Sequence, residues 1–436
     1  MSGVTSRRCV LEALPYVIVG LCLAVSSSRA LGQGGMLRAG SARVDITPTA
    51  PVALAGYASR NELSKGVHDP LSARVLAFEH EGHRLVLVST DLIGFYGGSV
   101  DVIRKAILTA ARLEPSELFL TAIHTHSGPN VGIDEDRGKP SNIAYTKDLG
   151  PRLAAAVEKA LGEMTPVRIG TGSGSSPVGV NRREAVTDRS GKTRIVLGRN
   201  PGALTDREVQ VLVVRPEGAD HPEAVLFAYS THSTSLGPQN YLISGDVHGI
   251  AEQFVEKHLG HNVIAPAFAG ASGDIDPWFR VLPKFKTDDG WVPEPVLLGT
   301  MLGEEVVNVA SKIKATSKTG PIRTALKTLT LPGKPRREEG VTPSNPTKTL
   351  EVTVGRVGDV AFVGLGCEAF NAIGRAIKTA SPIPHTIVMT HCNGAAGYLP
   401  TSEAYKVGGY EVDSSSFAPE AAEQVVKDVV LLLKSL

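Results

Sequence analysis

The chain has 436 residues, of which 42% are hydrophobic and 20% charged, and its formal net charge is +1. This length is enough for one large domain or two lobes with a sizeable core, and the composition is that of a globular protein. A nearly neutral chain without a basic patch interleaved with aromatic residues argues against nucleic acid as a partner.

Residues 1–30 are predicted to be a signal peptide. Arg7 and Arg8 precede an apolar stretch at 13–25, and small residues follow at 26–30. This order is typical of export signals, and the apolar stretch is short for a membrane span, although a membrane anchor is the alternative interpretation. The segment 6–11 also resembles a twin-arginine signal, so the export route stays open. We expect an exported protein that is periplasmic, extracellular or at the cell surface.

Cleavage near Ala30 leaves two cysteines, Cys367 and Cys392. Two cysteines in an exported protein could form one disulfide, and the sequence leaves that pairing open. They do not amount to a disulfide framework, so the fold must depend on its hydrophobic core.

Short apolar runs rich in β-branched residues alternate with amphipathic stretches along the rest of the chain, which predicts a mixed α/β protein. The predicted strands are 84–90, 118–124, 209–214, 224–229 and 360–364. Apolar residues recur at three- and four-residue spacing in the predicted helices. These helices are 100–113, 149–161, 247–259, 295–314, 371–378 and 419–434.

Two polar segments interrupt this pattern. Residues 331–348 contain four prolines and mixed charges and are predicted to be a surface connection. One interpretation is that this connection separates a large N-terminal lobe from a C-terminal one. Residues 127–146 are rich in Gly, Pro, Asn and Asp, and we expect them to form the rim or lid of a site.

Two histidines stand at the end of the predicted strand 118–124. His124 closes the strand and His126 follows two residues later, before Gly128 and Pro129. Residues i and i+2 of a strand face the same side, so both imidazoles can point into one cavity. Neutral imidazole is a preferred zinc ligand. From this motif alone, two structural histidines that close a strand are an equally good interpretation.

Two further candidates follow other apolar strands. His232 comes after 227–231, and Glu368 lies between a strand and a helix. Each has a structural interpretation, as a buried histidine or as an acid that complements a helix dipole. Taken together, two histidines and one glutamate are the ligand set of a catalytic zinc.

Two glycine-rich segments also contain groups with useful chemistry. Tyr398, Tyr405 and Tyr410 lie in one short segment of a chain with only nine tyrosines. Asp274 and Asp276 follow a run of small residues, where a backbone can approach another group closely. Aromatic packing in the first segment and solvated aspartates in the second are the structural alternatives.

These segments, in this order, resemble the neutral/alkaline ceramidase family, and the resemblance runs from about Gly40 to Glu411. Its most specific parts are the motif at 124–129, which reads His-Thr-His-Ser-Gly-Pro, and the Tyr398/Tyr410 pair followed by Glu411. The Asp-Ile-Thr-Pro sequence at 45–48 and the Asn-Arg pair at 181–182 support it. The resemblance implies a ceramidase-like catalytic domain over residues 31–436, built on a mixed sheet with flanking helices.

The resemblance also implies the parts of a site. Carried over position by position, it implies a Zn²⁺ ion with four ligands, His124, His232, Glu368 and Tyr398. His126 and Tyr410 would donate hydrogen bonds to the substrate carbonyl. Arg182 would line the substrate site, and Asp274 would lie beside the reacting centre as the general base.

The chain departs from the family pattern at one catalytic position. The family sequence is Gly-Asp-Val-Ser-Pro, whereas residues 273–277 read Gly-Asp-Ile-Asp-Pro. Asp276 therefore replaces a serine, and it would protonate the leaving amine, coordinate the metal or favour a cationic substrate. We also expect no C-terminal β-sandwich domain of the family type after the last helix. Both departures put ceramide itself in question as the substrate.

The sequence therefore predicts an exported zinc-dependent amidohydrolase that cleaves an N-acyl bond with zinc-activated water. Its substrate would be a small-molecule or lipid N-acyl amide, and peripheral membrane contact and the oligomeric state stay open. The alternative is a catalytically inactive exported protein that binds a ligand or lipid in the same pocket. A serine hydrolase is disfavoured, because the chain lacks a Gly-x-Ser-x-Gly motif.

Overall fold

A computed structural model describes residues 1, 3, 35–281, 292–335 and 346–436 of the chain. The predicted signal peptide therefore lies outside the described residues, apart from Met1 and Gly3. From Gly35 to Leu436 the chain forms one unit.

Strands occur throughout this unit, and the five predicted runs correspond closely to β4, β5, β10, β11 and β17, whereas the other strands were not predicted. In the described residues they are β1 (Arg38–Asp45), β2 (Gly66–Val67), β3 (Ser72–His80), β4 (His83–Thr90), β5 (Leu118–Ala122), β6 (Thr165–Ser175), β7 (Gly179–Asn181), β8 (Arg183–Thr187), β9 (Thr193–Leu197), β10 (Glu208–Pro216), β11 (Ala224–Tyr229), β12 (Leu242–Ile243), β13 (Ala267–Ala269), β14 (Ile275–Pro277), β15 (Ile322–Pro332), β16 (Thr347–Val357), β17 (Val360–Leu365), β18 (Glu368–Ala369), β19 (His385–Met389) and β20 (Tyr398–Leu399).

The helices lie between these strands. They are α1 (Ser99–Ala111), α2 (Pro140–Gly162), α3 (Asp246–Leu259), α4 (Pro293–Lys312), α5 (Asn371–Ala380), α6 (Ser402–Val407), α7 (Tyr410–Ser414) and α8 (Ala421–Lys434), with a short 3-10 turn at Pro115–Glu117. Among the described residues, no helix combines the length and the apolar composition needed to cross a bilayer.

Two mixed sheets form the framework. The larger has eight strands in the order β13-β11-β10-β6-β1-β3-β4-β5, and the smaller has four in the order β15-β16-β17-β19. Neighbouring strands are antiparallel except for the parallel pairs β11–β13, β4–β5 and β17–β19. This mixed-sheet α/β architecture with flanking helices confirms the predicted fold class.

The two sheets pack face to face, because their strands are apolar on both sides. In β5, Phe119 belongs to the core between the sheets, whereas Leu118 and Leu120 face the helices. In β17, Phe362 likewise faces the larger sheet while Val363 faces the helices beyond the smaller one. Strands buried on both faces form continuous apolar runs, which is the pattern that the sequence shows.

Helices cover both outer faces. The apolar faces of α1 and α2 pack on β1 and β3–β5, and α3 and α4 pack on the other half of the larger sheet. Helices α5 and α8 cover the smaller sheet. Because the sheets pack against each other and the helices cover their outer faces, the order of layers is helix, sheet, sheet, helix.

Two predictions about the connections need correction. Helix α2 begins at Pro140, well before the predicted start at 149, so the second part of the predicted loop 127–146 is helical. Proline suits the first helical turn, and Ile143 and Tyr145 are buried, which extends the helix face toward its N-terminus.

The predicted connection at 331–348 is shorter than expected. β15 ends at Pro332, β16 begins at Thr347, and these two strands pair antiparallel along their length. The central residues, 336–345, lie outside the described part of the chain. The interpretation of this connection as a boundary between lobes is wrong, because the strands on either side of it are neighbours in one sheet.

The cysteines left open by the sequence are both free thiols. Cys367 and Cys392 are buried and are not joined by a disulfide. Burial raises the pKa of both thiols, so each behaves as a small apolar core residue.

One buried charge network ties helix α3 to the larger sheet. Arg74 on β3 donates to Glu252 at 2.6 Å and to Glu256 at 2.7 Å, and its side chain is only 1% exposed. Asp91 lies 3.4 Å from the same guanidinium. Because water does not reach these charges, each depends on its partners for stabilisation.

We expect Arg74→Leu to lower the free energy of unfolding by about 3–5 kcal/mol, because it leaves buried carboxylates without a counter-charge. Arg43→Leu is the matched control, since Arg43 also donates to Glu256 but its side chain is 53% exposed. Arg43→Leu should lower the free energy of unfolding by about 1 kcal/mol or less. Urea unfolding of the two variants measures both, and equal losses would contradict the prediction.

Candidate metal centre

The predicted site residues follow the ends of strands from both sheets. His124 comes two residues after β5 and His232 comes three residues after β11, both in the larger sheet, whereas Glu368 comes three residues after β17 of the smaller sheet. Their segments run side by side, because Thr125 and Ser233 form a parallel bridge and the His126 backbone N–H donates to the Ser233 carbonyl at 3.0 Å. Strand ends from two packed sheets thus bring distant parts of the sequence to one place.

A second short pairing places two more predicted ligands together. In the parallel pair β18–β20, Glu368 is the direct partner of Tyr398. Partner residues in a ladder point to the same side of the strands. The register of this pair therefore directs both side chains toward one side.

Backbone carbonyls fix the orientation of two imidazoles. His124 Nδ1 lies 2.6 Å from the Ile93 carbonyl, and His232 Nδ1 lies 2.8 Å from the Ser272 carbonyl and 3.0 Å from that of Ile275. A carbonyl only accepts, so each Nδ1 carries the proton and each Nε2 has a lone pair, which in His232 also faces Arg182 Nη1 at 3.2 Å. This arrangement of the outer nitrogen is usual for histidines that bind metals.

The lone pairs converge on one carboxylate oxygen. Glu368 Oε2 lies 3.4 Å from His124 Nε2 and 3.6 Å from His232 Nε2. It is buried and, within the described residues, accepts no hydrogen bond, because neither Nε2 has a proton to donate. Three electron-rich atoms that face one another in a buried space repel each other, and a bound cation would stabilise them.

The protonation states also suit a cation. Burial lowers the pKa of His232 and of His126. A carboxylate and neutral imidazoles are the forms that bind metal ions.

The distances fit a metal ion of the predicted kind. A tetrahedral zinc ion with bonds of about 2.0–2.2 Å keeps its ligand atoms about 3.3–3.6 Å apart. The His126 and His124 Nε2 atoms are 3.3 Å apart, and ligand atoms of His124, His126 and His232 all lie within 4.8 Å of one another. The residues present therefore fit a divalent metal ion, and His126 lies close enough to be a ligand as well as a donor to substrate.

Tyr398 lies beside this cluster but is held by another group. Its phenol oxygen accepts a hydrogen bond from Arg182 Nη2 at 3.1 Å. Burial raises the pKa of Tyr398 well above its ordinary value, although Arg182 opposes that effect. Its predicted role as the fourth ligand stays a prediction.

Arg182 connects the candidate ligands to the surrounding acids. Its guanidinium donates to Glu411 at 2.8 Å and to Asp276 at 3.2 Å, and its Nη1 lies 3.2 Å from His232 Nε2. The side chain is buried. All three guanidinium nitrogens contact protein groups, so contact with substrate, which was predicted from the sequence, stays a prediction.

Asp276 lies between two arginines. Arg182 and Arg199 each donate to one of its oxygens at 3.2 Å. Burial would raise its pKa, but the arginines outweigh burial, and the net effect lowers the pKa of Asp276. Its negative charge is neutralised locally, which argues against the expectation that it favours a cationic substrate.

Asp274 is bonded through both of its oxygens. It accepts hydrogen bonds from the Asn371 backbone N–H at 2.8 Å and from Asn181 Nδ2 at 2.9 Å. Burial raises its pKa to about 6, despite the Asn371 hydrogen bond. Asp274 thereby holds the turn whose Ser272 and Ile275 carbonyls orient His232.

The two residues predicted to donate to the substrate carbonyl differ in burial, because His126 lies inside the cluster and Tyr410 lies nearer the surface. His126 packs against the Tyr57 ring, and a Cβ atom on Gly56, whose φ is +93°, would lie 2.3 Å from His126 Nδ1. The absence of a side chain at Gly56 thus makes room for the imidazole. Tyr410 is half exposed and its ring packs edge-on against Tyr398, at the opening of the site.

One histidine of the cluster was missed by the sequence analysis. His391 follows β19, and its ring is stacked on that of His124 with 3.8 Å between centroids. The available signal was the apolar run 386–389 that ends at Thr390-His391, which is the same pattern that singled out His232. That strand was not among those predicted.

A cleft of about 410 Å³ lies beside Tyr96. It is lined by Tyr96 and by parts of the predicted rim segment, including Asn130, Val131 and Ile143. Burial raises the pKa of Tyr96, and the Glu368 charge adds to that effect, so Tyr96 lies within electrostatic reach of the cluster. The cleft is large enough for part of a small-molecule ligand.

Comparison with known proteins agrees with this site. Residues 37–279 match the family model described as neutral/alkaline non-lysosomal ceramidase, N-terminal. Similar proteins include neutral ceramidase A of Dictyostelium discoideum, 28% identical over 257 residues, and the neutral ceramidase of Mycobacterium tuberculosis, 25% identical over 245 residues. The matched regions cover 55% and 52% of this chain but only 35% and 36% of those proteins.

Solved structures extend the likeness to nearly the whole fold. The crystal structure of neutral ceramidase from Pseudomonas aeruginosa matches with a TM-score of 0.75 and 20% identity, over 92% of this chain and 75% of that one. A ceramidase complexed with C2 matches with a TM-score of 0.72 and 20% identity. At this level of identity the structures establish a shared fold.

The pKa of Asp274 predicts a pH-dependent contribution to stability. A folded-state pKa of about 6, above the ordinary 3.8, means that the folded protein holds this proton more tightly. The stabilisation is complete below pH 4 and is lost as the pH rises through 6. The unfolding free energy of the wild type relative to Asp274→Asn should therefore fall by about 2–3 kcal/mol between pH 4 and pH 7. A constant difference in urea unfolding would contradict this.

Proposed function

Because the chain belongs to the neutral/alkaline non-lysosomal ceramidase family, we propose that it is a zinc-dependent hydrolase of N-acyl amides. One observation carries this proposal: His124, His232 and Glu368 direct electron-rich atoms at one buried point, where Glu368 Oε2 accepts no hydrogen bond from the described residues. We also propose that the protein is exported, which rests on the pattern of residues 1–30.

The chain's own residues would hold the metal ion. His124, His232 and Glu368 form the core of the set, with Tyr398 as the fourth ligand that the family resemblance implies. His126 is a second candidate for that position, since its Nε2 is 3.3 Å from that of His124. When bound, zinc polarises an amide carbonyl and makes water acidic enough to attack it near neutral pH.

In this proposal, His126 and Tyr410 stabilise the carbonyl oxygen as negative charge develops on it. His126 lies inside the cluster, and Tyr410 lies at its opening. In characterised enzymes each donor of this kind contributes about 3 kcal/mol to the transition state. A substrate carbonyl bound at the cluster would then lie between His126 on its inner side and Tyr410 on its outer side.

Proton transfer falls to Asp274 rather than Asp276 in this proposal. A pKa of about 6 lets Asp274 both take and return a proton near neutral pH, whereas two arginines keep Asp276 ionised. To act, Asp274 must release one of its two hydrogen bonds, to Asn181 or Asn371. Asp276 instead holds Arg182 beside His232 and Tyr398.

The substrate we propose is a lipid or small-molecule N-acyl amide. The similar proteins are called neutral ceramidases, so ceramide is the first compound to test, with short N-acyl amines beside it. The wall of the cleft beside Tyr96 combines the apolar Val131 and Ile143 with charged side chains such as Asp134, Arg137 and Lys139. It could therefore take a polar part of the substrate as well as an apolar one. Contact with a membrane surface would follow if the acyl chain is long.

A second candidate is a catalytically inactive protein that binds the same class of ligand. One observation favours it: both oxygens of Asp274 and both of Asp276 already accept hydrogen bonds from protein groups. Turnover separates the two candidates, because a binding protein would hold an N-acyl amide without releasing the amine.

His124→Ala should remove zinc and reduce hydrolysis of N-acyl amides at least 100-fold, because it deletes one of few ligands. His221→Ala, an exposed histidine away from the cluster, is the control and should behave like the wild type. Metal analysis and a chelator-sensitive amine-release assay measure both effects. A wild-type protein that contains no zinc, or hydrolyses the substrates equally well with chelator, would contradict the proposal.

Asp276→Ser restores the residue that the family has at this position. We expect it to raise the ratio of kcat/KM for ceramide to that for a short N-acyl amine about tenfold or more, since a hydroxyl replaces a carboxylate held by two arginines. Asp276→Asn is the matched control, because it removes the charge without supplying a hydroxyl. If serine and asparagine change the ratio equally, the hydroxyl has no part in substrate choice.

A further inference from the structure

His391 occupies a strained and firmly held position beside the metal centre. Its backbone φ is +54°, in the left-handed region that side chains other than glycine rarely adopt. The preceding Thr390 donates from its backbone to the Ala269 carbonyl at 2.9 Å and from its hydroxyl to the Gly270 carbonyl at 2.9 Å. Strained residues held in this way are concentrated at functional sites.

The residue after the turn is anchored equally well. Asn393 donates from Nδ2 to the Leu118 carbonyl at 2.7 Å and to Thr353 Oγ1 at 2.9 Å, and its Oδ1 accepts from the Leu120 backbone N–H at 3.0 Å. These bonds tie the turn to β5, the strand that leads to His124. The distance between the His391 and His124 rings is therefore set by the framework.

The contact itself is a parallel stack of two imidazoles. The rings of His391 and His124 are 3.8 Å apart between centroids with 12° between their planes, and His391 is 4% exposed. The hydrogen bond from Nδ1 to the Ile93 carbonyl holds one edge of the His124 ring, but the ring could still rotate about that contact. The His391 ring, stacked on the face of the His124 ring, restricts that rotation.

We propose that His391 is a positioning residue, which holds the plane of the His124 imidazole so that Nε2 stays directed at Glu368 and His232. The inference rests on the proposed zinc site and does not depend on the substrate.

Two variants distinguish stacking of a planar ring on His124 from simple occupation of the same space by an apolar side chain. His391→Phe keeps a planar ring, His391→Leu fills the pocket without one, and both share the same backbone strain. The zinc dissociation constant is measured by competition with a chromophoric chelator, and the visible spectrum of the cobalt-substituted protein reports ligand geometry. Loss of an outer group that orients a ligand typically weakens metal binding 10–100-fold.

We expect the leucine variant to bind zinc at least tenfold more weakly and to change the cobalt spectrum, and the phenylalanine variant to stay within about threefold of the wild type. His221→Ala is the control, because it breaks another stacked pair, with His261, at the surface. Equal zinc affinities for the leucine and phenylalanine variants, whether high or low, would overturn the inference. A wild-type protein that binds no zinc would instead overturn the proposed function.

Discussion

Mutual repulsion of lone pairs is the constraint on which the centre of this structure depends. Two imidazole nitrogens and one carboxylate oxygen face one another across 3.4 and 3.6 Å, in a space that water hardly reaches. The protons that could relieve this repulsion are committed to backbone carbonyls on the far sides of the rings. Arg182 Nη1, 3.2 Å from His232 Nε2, relieves part of this repulsion, but Glu368 Oε2 has no hydrogen-bond partner among the described residues, and a buried polar atom without a partner is costly. A cation bound between the three atoms would remove that cost.

The fold supplies the rigidity that such a cluster needs. His124 leaves β5 with a left-handed backbone, and Glu368 and Tyr398 are held by a two-residue pairing between other segments. Each of these short elements would be weak alone, but they extend from two sheets packed face to face around one core. The strands thus act as rigid supports, and the irregular residues after their ends direct the functional groups.

Charge around the cluster is balanced by a second layer of residues. Arg182 joins Asp276 and Glu411 to His232 and Tyr398, so the serine-to-aspartate departure from the family pattern is accompanied by arginine contacts that neutralise it. The aspartate is therefore better understood as part of the support of the site than as a free charge facing the substrate.

The fold class could be predicted from local sequence patterns, whereas the set of metal ligands was implied by the family resemblance. Apolar runs predicted five strands, and the positions of His124 and His232 after such runs made them candidates, because apolar runs and their ends are local properties of the chain. Only the tertiary structure decided that His391 lies against His124, that both oxygens of Asp274 are occupied, and that residues 331–348 join neighbouring strands. These facts depend on strand register and on the packing of two sheets, which bring together residues hundreds of positions apart and leave no periodic signal in the sequence.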